Sequence, residues 1–176
     1  MVVHVELNSW VQAEEHFRDV DQDQGREHYD RDMFNCELAL NLVGIGTLFS
    51  CRGHLDGLPA FPYITITPQR EVSGLVPRYV SVMESQPLSQ EALAVKSTIV
   101  KAMSELGQHL LSLLTGFYEE RQTPLPYRLV VQSNGFGSYT LVNQGAVVGM
   151  LSDQETLRAY QDEFMAFGDY LKSVWE

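Results

Sequence analysis

Five consecutive residues, Ser50-Cys51-Arg52-Gly53-His54, bring together a hydroxyl, a thiol, a guanidinium and an imidazole. A thiol becomes a nucleophile when a neighbouring cation lowers its pKa. Arg52 and His54 stand close enough in sequence to act on Cys51 if the loop curls back, and Gly53 permits that curl. In such an arrangement Cys51 and His54 are the catalytic candidates, nucleophile and base. Ser50, Arg52 and Gly53 are the binding candidates, with Arg52 an anchor for a small acidic ligand.

The same Cys-x-x-His spacing could supply two ligands of a zinc site. A tetrahedral structural site needs two more, and Cys36, His28 and His109 are the available partners. All would have to converge through folding, so no metal and no cofactor is assigned. The third reading is structural: a buried Cys51 in a turn that His54 caps. His4, His16 and His109 are isolated in sequence, and His109 is expected to be a hydrogen-bonded structural histidine beside a helix stripe. The acidic run Asp19-x-Asp21-x-Asp23 with Gly25 and Asp30 is in the wrong register for an EF-hand loop and reads as a solvated connection.

Composition limits what these groups can serve. The 176 residues, 44% of them hydrophobic, suffice for one compact domain without disulfides. Two cysteines and no basic-then-apolar leader point to a reducing, cytoplasmic setting. The net charge of −11 opposes polyanions, so nucleic acid is an unfavourable partner. Apolar runs are too short for a membrane span.

The elements that must position the loop follow from periodicity. VVHVEL over residues 2–7 reads as a strand. Ser9 with Gln12 reads as a capping box opening a helix to about Val20, followed by a polar connection over 19–32. From about Tyr29, the residues Met33, Cys36, Leu40 and Val43 recur at helical spacing until Gly44 and Gly46, which makes Cys36 a core hydrophobe. Residues 47–50 and 63–67 read as strands flanking the Cys51 loop. Residues 78–83 read as a further strand.

Ser89 is placed to cap a long helix whose apolar positions run Ala92, Val95, Ile99, Ala102, Met103, Leu106, Leu110, Leu113, Leu114 and Phe117. A sheet must cover that stripe, although helices of this pattern also pair in dimers. Residues 127–133 and 138–142 read as strands around Asn134-Gly135-Phe136-Gly137, with a third strand near Val147 completing a meander. Ser152 with Glu155 reads as the cap of a last helix, whose face is Leu157, Tyr160, Phe164, Phe167, Leu171 and Trp175. The fold class is therefore α+β: a single domain over 1–176, with an antiparallel or mixed sheet packed on a long central helix and a C-terminal helix.

The run Leu40-Asn41, Gly44-x-x-Thr47-x-x-Ser50-Cys51-x-Gly53-His54, with Tyr63-Ile64 beyond, resembles a segment of small uncharacterised bacterial and phage proteins. The resemblance covers about a quarter of the chain. It implies that Ser50, Cys51, Gly53 and His54 belong to one recurring unit, and it supplies no activity. Ser50, Cys51 and Gly53 are also similar to the Ser-Cys-Ser-Gly-Arg segment of wybutosine-synthesis methyltransferases of tRNA modification. There an arginine stands where this chain has His54, and the acidic charge opposes an RNA partner. The expected function is a small soluble binding or interaction domain with its site at Ser50–His54, capable of homodimerising. A Cys51 enzyme and a metal-binding protein are the alternatives.

Overall fold

A computed structural model describes residues 9–23, 31–56, 60–68, 74–85, 89–135, 137–150 and 153–176. The predicted strand at 2–7 and the partner histidine His28 lie outside them. The chain order is α1 (Trp10–Asp23), α2 (Arg31–Leu42), β1 (Gly46–Cys51), β2 (Tyr63–Thr67), α3 (Leu75–Ser85) and α4 (Gln90–Glu119). A single 3-10 turn (Leu125–Tyr127) then leads to β3 (Leu129–Ser133), β4 (Tyr139–Asn143), α5 (Gln144–Val147) and α6 (Gln154–Trp175).

The four strands form one sheet in the order β1-β2-β4-β3, and every pairing in it is antiparallel. Ser50, Ile64, Leu141 and Val131 lie opposite one another across the sheet. Alternation of side chains puts this row on one face and the row Cys51, Tyr63, Val142 and Val130 on the other. The first face is the core side. Ile64 and Leu141 are fully buried there with Met33, Cys36 and Leu40 of α2, Leu106, Leu110 and Phe117 of α4, and Phe164, Phe167 and Leu171 of α6. This is the expected α+β domain, with its long helix and last helix against an antiparallel sheet.

The helix starts follow their caps. The Ser9 hydroxyl accepts from Gln12 N–H at 3.3 Å, and that of Ser89 accepts from Ala92 N–H at 3.1 Å. The last helix is capped by Asp153, whose carboxylate accepts from Thr156 N–H at 2.7 Å, so the cap falls one residue after the expected Ser152. Nine of the ten expected apolar positions on α4 are buried, and Ala102 is half-buried.

Several expectations fail for physical reasons. Residues 78–83 are helix, because Leu75, Val76 and Tyr79 of α3 pack on Val95, Ile99 and Met103 of α4, and Pro77 is tolerated in a first turn. Near Val147 there is a helical turn instead of a third meander strand, and β4 pairs with β2. Gly145 abuts the Tyr160 hydroxyl and Pro126 there, so no side chain fits at this position. Tyr127 belongs to the 3-10 turn, and α1 runs on to Asp23 through residues expected to be connection. His109 is exposed on α4 and does not pack beside the stripe.

Candidate functional site

The strand that ends at Cys51 is launched by a glycine-terminated helix. Gly44, at φ 86, closes α2 with Gly44 N–H to Asn41 O at 3.1 Å and Ile45 N–H to Leu40 O at 2.8 Å. This is the paired hydrogen-bond pattern of a Schellman end. The Asn41 amide donates to Glu37 O and to Thr47 Oγ1, both at 2.8 Å, and ties the end of α2 to the first residues of β1. A register shift between Thr47 and Phe49 then bulges the strand before Cys51.

Past Cys51 the chain turns a corner at Gly53, whose φ is +80. A Cβ at Gly53 would stand 2.7 Å from Phe61 C, 2.8 Å from Pro62 N and 2.9 Å from Ala60 O. The main chain of the outgoing loop is thus in contact with the main chain entering β2, and only glycine fits. Two further contacts fix the corner. Gly53 N–H donates to Cys51 Sγ at 3.4 Å, and the Gln161 amide of α6 donates to Arg52 O at 3.0 Å.

Cys51 is half-buried and lies directly opposite Tyr63. Burial pushes the Tyr63 phenol above its ordinary pKa, and the nearby Cys51 sulfur adds to the effect. Arg52 is exposed, His54 half-buried and Gly53 buried. Cys51, Arg52, Gly53 and His54 therefore share one pinned corner. Ser50 does not join Cys51, because strand alternation turns it to the Ile64 and Leu141 face.

The two described partners considered for a metal, Cys36 and His109, are elsewhere. Cys36 is fully buried between α2 and α6, where desolvation drives its thiol pKa strongly upward, with Glu37 adding to the shift. His109 is on the outside of α4. Among the described residues no three of His, Cys, Asp and Glu come together as a metal site. No described helix is long and apolar enough to cross a membrane.

Three contributors escaped sequence reasoning. Tyr63 was legible as a strand residue but not as the cross-strand neighbour of Cys51, which only the register reveals. Gln161 had no signal at all. Glu163 had one: it lies three residues after Tyr160 and four before Phe167 on the buried face of α6, and its side chain is only 4% exposed. Arg121 pairs with it through Nε at 3.4 Å and Nη2 at 2.9 Å. This hydrogen-bonded pair raises the Arg121 pKa and clamps the end of α4 to α6.

Comparison of the chain with protein-family models, with curated proteins and with solved structures gives no match. The corner is therefore interpreted from its own geometry.

Proposed function

We propose that this chain is a small binding domain whose ligand contact is the corner of Cys51, Arg52, Gly53 and His54, floored by Tyr63. The observation that supports this reading is that the main chain is fixed while the reactive groups keep access to water. Gly53 is wedged against 60–62, Gln161 holds Arg52 O, and Cys51 and His54 remain half-exposed. A corner ordered before binding loses little conformational entropy when a ligand arrives.

The ligand class is a small anion. A guanidinium and an imidazole on one turn suit a carboxylate or phosphate, whereas a net charge of −11 repels extended polyanions such as nucleic acid. A reducing compartment such as the cytoplasm keeps Cys51 a thiol.

A second reading, an enzyme with Cys51 as nucleophile and His54 as base, draws on one contact, the Gly53 N–H donated to the half-exposed sulfur. Titration of nitrogen-labelled protein with inorganic phosphate tests the binding role. Saturable amide shifts confined to residues 50–54 and 63, lost in Arg52→Ala, are expected. Shifts spread over the whole surface, or none, would count against it.

A further inference from the structure

The long helix α4 has a second face on which exposed apolar side chains remain among the described residues. Its buried positions pack on the sheet, α3 and α6, yet Leu93, Val100 and Leu111 stand 55%, 50% and 59% exposed. With Ser97 and Ser104 they recur at helical spacing, Leu93, Ser97, Val100, Ser104, Leu111, while Gly107 lies against the Tyr139 side chain of the domain's own sheet. That is the seam of a heptad repeat, the pattern by which one helix packs along another. The seam carries no charge. Beside it, Val100, Met103 and Ser104 border an open furrow of about 320 Å³ against Tyr139, Gly135 and Gly137.

The electrostatics of this face differ from the rest of the chain. The sequence has three lysines, and two of them, Lys96 and Lys101, flank the seam. Between Ala92 and Tyr118 the only acid is Glu105. In a chain of net charge −11, a helix face with two lysines and one acid opposes the approach of a second copy little.

We propose that a second copy of this chain docks on this face, the two α4 helices running antiparallel about a two-fold axis near Ala102. The pattern is self-complementary in that orientation. Residue numbers that sum to 204 face each other: Leu93 meets Leu111, and Val100 meets Ser104, each twice. Lys101 of each copy then lies about 3 Å along the axis from the level of Glu105 of the other, at ~1.5 Å rise per residue. Those two side chains are 78% and 65% exposed in the single chain, and their intrachain contact, 3.9 Å, is loose enough to be shared. The small residues at the middle of the seam let the helices approach closely, and the two Leu93–Leu111 contacts close its ends.

Sedimentation equilibrium on the full chain and its variants tests this. The wild type is expected to be a dimer at about 100 μM, and Val100→Glu and Leu93→Glu each to weaken association at least about tenfold. Both positions are exposed, so unchanged circular dichroism would confirm that each variant still folds. Lys101→Glu is expected to weaken association, and the exchange Lys101→Glu with Glu105→Lys to restore it; a purely local helix effect would not move the association constant. A wild type monomeric at that concentration would overturn the proposal. So would a dimer indifferent to both Val100→Glu and Leu93→Glu, or one whose charge exchange fails to rescue.

Discussion

Gly168 of α6 and Cys36 of α2 meet almost backbone to backbone: a Cβ at 168 would stand 3.0 Å from Cys36 Cα and 3.1 Å from Cys36 N. This close approach lets α6 settle onto α2 without a side chain between them. The N-terminal half of the same helix carries Gln161, which holds the Cys51 corner. Gly168→Val should therefore destabilise the fold by roughly 1–3 kcal/mol through overpacking, read as a lowered denaturant midpoint with an unchanged slope.

Cys36 itself makes the alkaline limb of stability measurable. Its thiol is held protonated by burial, with a folded pKa raised above the ordinary value of 9.0. Its contribution to stability is complete below that value. It falls as pH rises, because the unfolded chain releases the proton and the folded chain keeps it. Unfolding free energy should decline above about pH 9 by at most about 1.4 kcal/mol per pH unit from this group. Cys36→Ala should flatten that decline while lowering stability at neutral pH; denaturant titrations at a series of pH values provide the check.

The Arg121–Glu163 pair predicts an asymmetry. Arg121→Ala leaves a carboxylate whose side chain is 4% exposed without its counter-ion, whereas removing both leaves no buried charge. The single change should cost about 2 kcal/mol, less than for a fully buried pair because Arg121 keeps one side in water. Arg121→Met with Glu163→Leu should be milder than Arg121→Ala, as thermal melts of the variants would show.

Gly53→Ala should fail for two separate reasons. The left-handed φ costs an alanine about 1–2 kcal/mol, and its Cβ would collide with the main chain at Phe61 and Pro62. Loss of stability should come with displaced amide resonances at 51–54, 60, 61 and 63. An unchanged spectrum there would show that the corner is not built as described.

The regular elements were legible where one period dominated. The α4 stripe and its Ser89 cap, the Tyr63–Thr67 strand and the burial of Cys36 all follow from local sequence. Residues 78–83 suit a strand as well as a helix, through Tyr79, Val80, Val82 and Met83, and packing of α3 on Val95, Ile99 and Met103 decides for the helix. The corner was legible as a set of residue types and as a glycine turn. Its supports were not, since the Cys51–Tyr63 register, the Phe61–Pro62 backstop and the Gln161 contact depend on which distant segments meet. The same register separates Ser50 from Cys51, which five adjacent letters cannot convey.

The most direct test is the rate at which a thiol reagent modifies Cys51, measured with Cys36→Ala protein in the presence and absence of inorganic phosphate. If the corner binds small anions, phosphate should slow modification saturably, and Arg52→Ala and His54→Ala should each remove the protection while leaving the fold intact. A Cys51 modified at one rate at every phosphate concentration, in wild type and variants alike, would contradict the account.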